Sequence, residues 1–194
     1  MVAKPIIDSI NIVTISRFVE QKDYFTAIDV IRLLKDKLFE NHSAVSVKYI
    51  IVGYGELESK IRTYVHTQRL DEMVKIVINP PNVTDYLEDG HIYLSTSLLE
   101  GLSNSIMEAL EFSLPIIAMN VDDNDKLVLE GENVFLTNMK DTKTIANKLL
   151  TLLDDSELRN VMGQTGYAHL ANVFSISTFK NNYISLISKL NDTN

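Results

Sequence analysis

The chain has 194 residues, 45% of them hydrophobic and 23% charged, with a formal charge of -8, the composition of an ordinary soluble globular protein with room for one α/β core. The acidic balance argues against nucleic acid or an anionic membrane surface as the main partner, while leaving room for a small basic pocket that takes a phosphate. There is no cysteine, so disulfides, thiolate metal sites and a cysteine nucleophile are excluded.

In chain order, Ile10–Ser16 is a β-branched run too short for a helix and reads as a buried strand. Phe25–Leu38 carries apolar residues at 25, 28, 30, 31, 34 and 38, close to a 3.6-residue period, and reads as an amphipathic helix. The alternation continues with strands at Val47–Gly53, Val74–Ile78, His91–Ser95, Pro115–Met119 and Val134–Thr137. Helices are expected at Leu57–Leu70, Thr84–Asp89, Asn104–Phe112, Asp141–Leu153, Ser156–Leu170 and Ser177–Leu190. Strands alternating with helices of this length imply right-handed crossovers and a doubly wound parallel sheet covered on both faces. Six strands then predict the Rossmann-like order 3-2-1-4-5-6, with a ligand crevice beyond the carboxyl ends of the first and fourth. No repeat, linker or apolar run long enough to span a membrane interrupts the chain. The start, MVAKPIIDS, has no signal-peptide core, so the expected location is cytoplasmic.

The crevice prediction selects two segments, Arg17–Lys22 after the first strand and Thr96–Asn104 after the fourth. A helix amino end binds anions through unpartnered N–H groups and the positive end of its dipole, and Gly101, Leu102, Ser103, Asn104 and Ser105 form such an end. Arg17 as a fork and Lys22 as a point charge suit a phosphate or diphosphate opposite it. The competing reading makes both cations solvated loop residues paired with Glu20 or Asp23. Glu108 follows Ser105 by three residues, a spacing that also fits a capping box or a solvated helix face. Glu100 precedes the helix and lies at the crevice itself.

Other chemistries fit less well. The first strand is followed by S-R-F-V-E-Q rather than G-x-G-x-x-G, no P-loop occurs, and the only G-x-G, Gly53-Tyr54-Gly55, lacks its third glycine. Asp122-Asp123-Asn124-Asp125 reads as a solvated acidic turn in preference to a metal site. His42, His66, His91 and His169 have no ligand spacing, although His91 is expected to open a strand beside the crevice. No G-x-S-x-G elbow is present.

Taken in order, Ser97-Leu98-Leu99-Glu100-Gly101, Glu108-Ala109-Leu110, Ser16-Arg17-Phe18 with Lys22, Val52-Gly53-Tyr54-Gly55, and Leu114-Pro115-Ile116-Ile117-Ala118 resemble the carboxyl-terminal donor-binding domain of the retaining group 1 glycosyl transferases, half of a GT-B fold. The resemblance covers about Asn11 to Leu190. It implies a nucleotide-sugar donor (UDP-, GDP- or ADP-sugar), no metal or other cofactor, and a role in glycan or polysaccharide biosynthesis. Arg17 and Lys22 would hold the diphosphate, Glu100 the donor sugar and Glu108 the ribose. The amides of Gly101–Ser105 would support sugar and phosphates, with Gly53 and Gly55 also at the donor. The base would rest near Asn79–Thr84, against Pro81 and Val83. The acceptor, a glycan or lipid-linked sugar, would belong to an amino-terminal domain outside this chain. That would leave the chain a single domain, inactive alone, with apolar surface open over Phe174–Leu190, and could bring the whole protein to the inner face of a membrane. Departures from the family pattern are Ser16, Asp23 and Ser113 in place of glycines, Val121–Lys126 in place of a Gly-Gly loop with a downstream glutamate, and Asn133-Val134 in place of Asn-Gly. They keep a non-catalytic sugar-nucleotide-binding module open as the alternative. A glycosidase using Glu100 and Glu108 leaves Arg17 and Lys22 without a role.

Overall fold

The structure is a computed structural model that describes residues 9–191 apart from 42, 44 and 122–126, and omits the side chains at 182, 186 and 189–191. Six strands, β1 (Ser9–Ile15), β2 (Ser46–Gly53), β3 (Val74–Ile78), β4 (Ile92–Ser95), β5 (Ile116–Met119) and β6 (Val134–Thr137), form one sheet in the order β3-β2-β1-β4-β5-β6. Every pairing is parallel. Seven helices are described: α1 (Tyr24–Glu40), α2 (Glu58–Thr67), α3 (Thr84–Glu88), α4 (Asn104–Glu111), α5 (Thr142–Asp154), α6 (Ser156–Val173) and α7 (Ile176–Asn191). The predicted order and elements are present, with no end moved by more than three residues. A 3-10 turn at Glu20–Lys22 is an addition, too short to leave a periodic pattern.

The strands are apolar without interruption because both faces of the sheet are covered. Successive residues serve opposite cores: Ile92 and Leu94 point with Ile12, Tyr49, Ile51 and Ile117 into the layer beneath α1, α2 and α5, whereas Tyr93, Ile116, Ala118 and Val134 pack with Ile106, Ala109 and Leu110 of α4. Each such fully buried aliphatic or aromatic side chain contributes about 1.5–3 kcal/mol relative to exposure. No described helix is long and apolar enough to cross a membrane.

Helix α7 departs from this economy. Ile176, Phe179, Tyr183, Ile184 and Ile187 are exposed, from 42% at Ile187 to 88% at Ile176, so its apolar face has no cover among the described residues, as expected for that region.

Candidate active site

Sheet order reverses between β1 and β4, and the carboxyl end of β1 is held there by three tyrosines. The Tyr49 hydroxyl bonds to Thr14 Oγ1 at 2.9 Å, the Tyr24 hydroxyl to Ser16 Oγ at 2.5 Å, and the Tyr93 hydroxyl donates to the Ile15 carbonyl at 3.1 Å and accepts from the Ile15 N–H at 3.3 Å. All three rings are fully buried. Burial raises each phenol above its ordinary value, Tyr93 to about 12, with hydrogen bonds to Ser105 and to the Ile15 backbone opposing the shift. Tyr93 therefore joins the end of β1 to the first turn of α4, with Glu100 and Glu108 close enough for their charges to act on it. Read in sequence, these tyrosines are strand and helix residues with apolar bodies. The hydroxyl contacts of Tyr49 and Tyr93 reach across 35 and 78 positions of the chain and carry no local signal.

Arg17 follows directly and is exposed. Among the described residues it forms no ion pair; Glu20 instead lies 3.9 Å from Lys60, and Asp23 caps α1. The surface pairings that compete with a ligand role are thus not made. Lys22 behaves differently, because its ammonium pairs with the Glu100 carboxylate and the two side chains are only 14% and 9% exposed. The loops carrying them are stitched together. Leu98 N–H donates to the Gln21 carbonyl at 2.8 Å, Gln21 Nε2 to the Leu99 carbonyl at 2.5 Å, and Thr96 Oγ1 to the Lys22 and Asp23 carbonyls at 3.2 and 3.0 Å.

Helix α4 starts after Ser103, and no side chain caps it. The capping box expected at Ser105 and Glu108 is not formed: the helix begins two residues earlier than that motif requires, so Ser105 lies inside the first turn and Glu108 one turn further on. The first N–H groups of α4 remain open to a ligand. Gly101, Leu102 and Asn104 are exposed beside them, while Ser103 is buried, with its Oγ 3.2 Å from that of Ser105. Glu108, with much of its surface open to solvent, lines a groove of about 460 Å³ together with Asn104, Glu111, Tyr167 and Phe174. Partial loss of water there, and next the Glu111 charge, raise its carboxyl above the ordinary range.

Gly53 and Gly55 hold the site from behind. A Cβ on Gly53 would lie 1.9 Å from the Ser16 carbonyl oxygen, and one on Gly55 would lie 2.5 Å from that of Phe18. Phe18 N–H donates to the Tyr54 carbonyl at 2.7 Å and Leu57 N–H to the Phe18 carbonyl at 3.1 Å, so the Gly-Tyr-Gly segment clasps the backbone on both sides of Arg17. The next loop, with exposed Pro81 and half-buried Val83, is tied to it by Asn79 N–H donating to the Gly53 carbonyl at 3.1 Å. His91 is a correction. It sits at the amino end of β4, where its N–H donates to the Asn11 carbonyl and its Nδ1 accepts from the Asn11 N–H, at the opposite end of the strands from the crevice. His42 and the acidic segment 122–126 lie outside the described residues.

Among known protein families, residues 5–169 match the glycosyl transferases group 1. The chain belongs to this family. AmsK of Erwinia amylovora, an amylovoran biosynthesis glycosyltransferase, is 28% identical over 74% of this chain. The chain spans 36% of the length of AmsK and 39% of the colanic acid glycosyltransferase WcaL of Escherichia coli. Among solved structures, the Anabaena protein HepE in complex with UDP superposes with a TM-score of 0.81 at 19% identity, over 94% of this chain and 49% of that one. The carboxyl-terminal domain of a group 1 glycosyl transferase from Francisella tularensis, LpcC, matches with a TM-score of 0.73 at 21% identity, over 86% of this chain and 87% of its own.

Two departures from the group 1 pattern have a backbone explanation. Asp23 and Ser113, read from the sequence as standing in place of glycines, both adopt left-handed backbone, with φ of 42° and 55°. At Asp23 the carboxylate compensates, accepting from the Thr26 N–H at 3.3 Å and the Thr26 hydroxyl at 2.6 Å as the amino-terminal cap of α1. Asp23→Gly is therefore expected to change stability by only a few tenths of a kcal/mol, and Asp23→Ala to lower it by about 2–3 kcal/mol, from the lost cap and the left-handed strain together. Equal urea midpoints for the two variants would show that the backbone conformation contributes nothing.

Proposed function

We propose that this group 1 chain is the donor-binding half of a retaining glycosyltransferase that moves a sugar from a nucleoside-diphosphate sugar to a glycan or lipid-linked acceptor in polysaccharide biosynthesis. The observation that carries the reading is the meeting, at the switch point, of exposed Arg17, the Lys22–Glu100 pair and the uncapped amino end of α4. Such a place is built for a compact polyanion. In this reading Arg17, Lys22 and the α4 amides hold the diphosphate and stabilise the charge that grows on it as the sugar leaves, from positions fixed before the reaction. Glu100 accepts from hydroxyls of the donor sugar, Glu108 from the ribose, and the base rests at Pro81 and Val83.

The acceptor-binding half is proposed to be a separate domain. Two observations support this: the chain covers well under half of AmsK and WcaL while matching nearly all of the LpcC domain, and α7 exposes an apolar face of the kind that marks a domain contact. Catalysis by the domain alone is not expected.

A thermal-shift screen with UDP, GDP, ADP and their sugar conjugates tests the reading. At one hundred times Kd a ligand of the native state adds about 2.7 kcal/mol, which for a chain of this size raises Tm by roughly 5–10 °C. No shift with any of them at millimolar concentration would overturn it. Donor hydrolysis or transfer by a protein carrying both domains then separates an enzyme from a binding module.

A further inference from the structure

We propose that the Lys22–Glu100 ion pair is the resting state of the empty donor site, and that an arriving diphosphate breaks it. Lys22 turns to the phosphates and Glu100 is released to take the donor sugar. The proposal rests on the donor-site reading above.

Both side chains are mostly covered, at 14% and 9% exposure. A charge in such a place is strongly unfavourable without an opposite charge, and each group supplies one to the other while no ligand is present. The pair is close to neutral as a unit, and Arg17, at the same switch point, is an exposed cation without an ion-pair partner among the described residues. Arg17 therefore makes the first contact with an approaching anion. A diphosphate then offers Lys22 more negative charge than one carboxylate can, and the ammonium, with three donors on a flexible stem, can follow it.

The backbone does not have to move for this exchange. The loops are pinned by the Gln21–Leu98 and Gln21–Leu99 bonds and by Thr96 across Lys22 and Asp23, and Asp23 fixes the residue after Lys22 as the cap of α1. On the other loop, the residue after Glu100 is Gly101, exposed, with nothing within 4 Å of where a Cβ would be. The change is confined to two side chains. Its consequence is coupling: the group that reads the sugar becomes available only once the phosphates have drawn Lys22 away, and until then the charge of Glu100 is offset by Lys22.

Affinities of the whole chain for UDP, GDP and ADP, by titration calorimetry, test this in wild type, Glu100→Gln, Lys22→Met and the double variant. With the pair neutralised, Glu100→Gln is expected to bind the preferred diphosphate about five- to tenfold more tightly, because Lys22 no longer leaves a charged partner. In the Lys22→Met background the same change is expected to do little, since a double-mutant cycle isolates the coupling between the two residues. Unchanged or weaker binding by Glu100→Gln overturns the exchange. Tightening that persists without Lys22 also overturns it, because only removal of a repulsive charge would then be at work. Should Glu100→Gln not fold, Glu100→Asp loosens the same pair and carries the same expectation. Wild type that binds none of the three diphosphates overturns the donor-site reading itself, a different result from binding that Glu100→Gln leaves unaltered.

Discussion

Replacing Gly53 with alanine is expected to lower stability by about 3 kcal/mol, the upper end of what overpacking does in a well-filled interior, and with it Tm by roughly 6–12 °C. The added carbon would stand 1.9 Å from the Ser16 carbonyl oxygen and 2.9 Å from the Phe18 ring. Neither neighbour can yield cheaply. Ser16 N–H is bonded to the Val52 carbonyl at 3.1 Å, and Phe18 is fully buried, edge-on to Tyr24 with ring centroids 5.2 Å apart. Relief therefore requires the Ser16–Phe18 backbone to move, carrying Arg17 with it, so diphosphate affinity should fall along with stability. Gly101→Ala is the matched control, with nothing near its Cβ and an expected stability change within about 0.5 kcal/mol. A Gly53→Ala protein as stable as wild type in a urea titration would show that the end of β2 does not press on β1.

The contrast between these two glycines marks how far the sequence reaches. Both stand in motifs that can be read as ligand-binding, but Gly53 is occupied by a neighbouring backbone and Gly101 faces open space, and only packing separates them. The sheet order was legible because it follows from strand-helix alternation and handedness, and the apolar runs of β3 and β6 match their observed bounds at both ends. The start of α4 at Asn104 was legible as well, whereas the capping-box spacing of Ser105 and Glu108 fitted the sequence and is not used, because the N-cap is Ser103, where the loop from Glu100 ends. Pairing of Lys22 with Glu100 was invisible for another reason. The residues are 78 positions apart, and charge pattern along the chain says nothing about a contact made by two loops at a sheet switch point. The segments that meet at the switch point were therefore readable, while the partnerships within them were set by the tertiary structure.

Arg17→Ala should separate binding from stability. Arg17 is exposed and makes no ion pair among the described residues, and the hydrogen bonds that shape its loop come from backbone: Phe18 N–H to Tyr54 and Val19 N–H to its own carbonyl, at 2.7 and 3.0 Å. Removing the side chain is thus expected to change stability by no more than about 0.5 kcal/mol. Its loss from a diphosphate site should weaken nucleoside diphosphate binding by about 1.5–3 kcal/mol, the worth of a charged hydrogen bond, or roughly 10- to 150-fold in Kd. Arg17→Lys keeps the charge but not the planar fork, so it should recover part of the affinity and show the same fall with rising salt. An Arg17→Ala protein with wild-type diphosphate affinity would remove this residue from the site. A loss of stability matching the loss of affinity would instead assign Arg17 to holding the loop. Among the described residues Arg17 has no ion-pair partner, so the two measurements together decide whether its charge serves a bound anion or the loop.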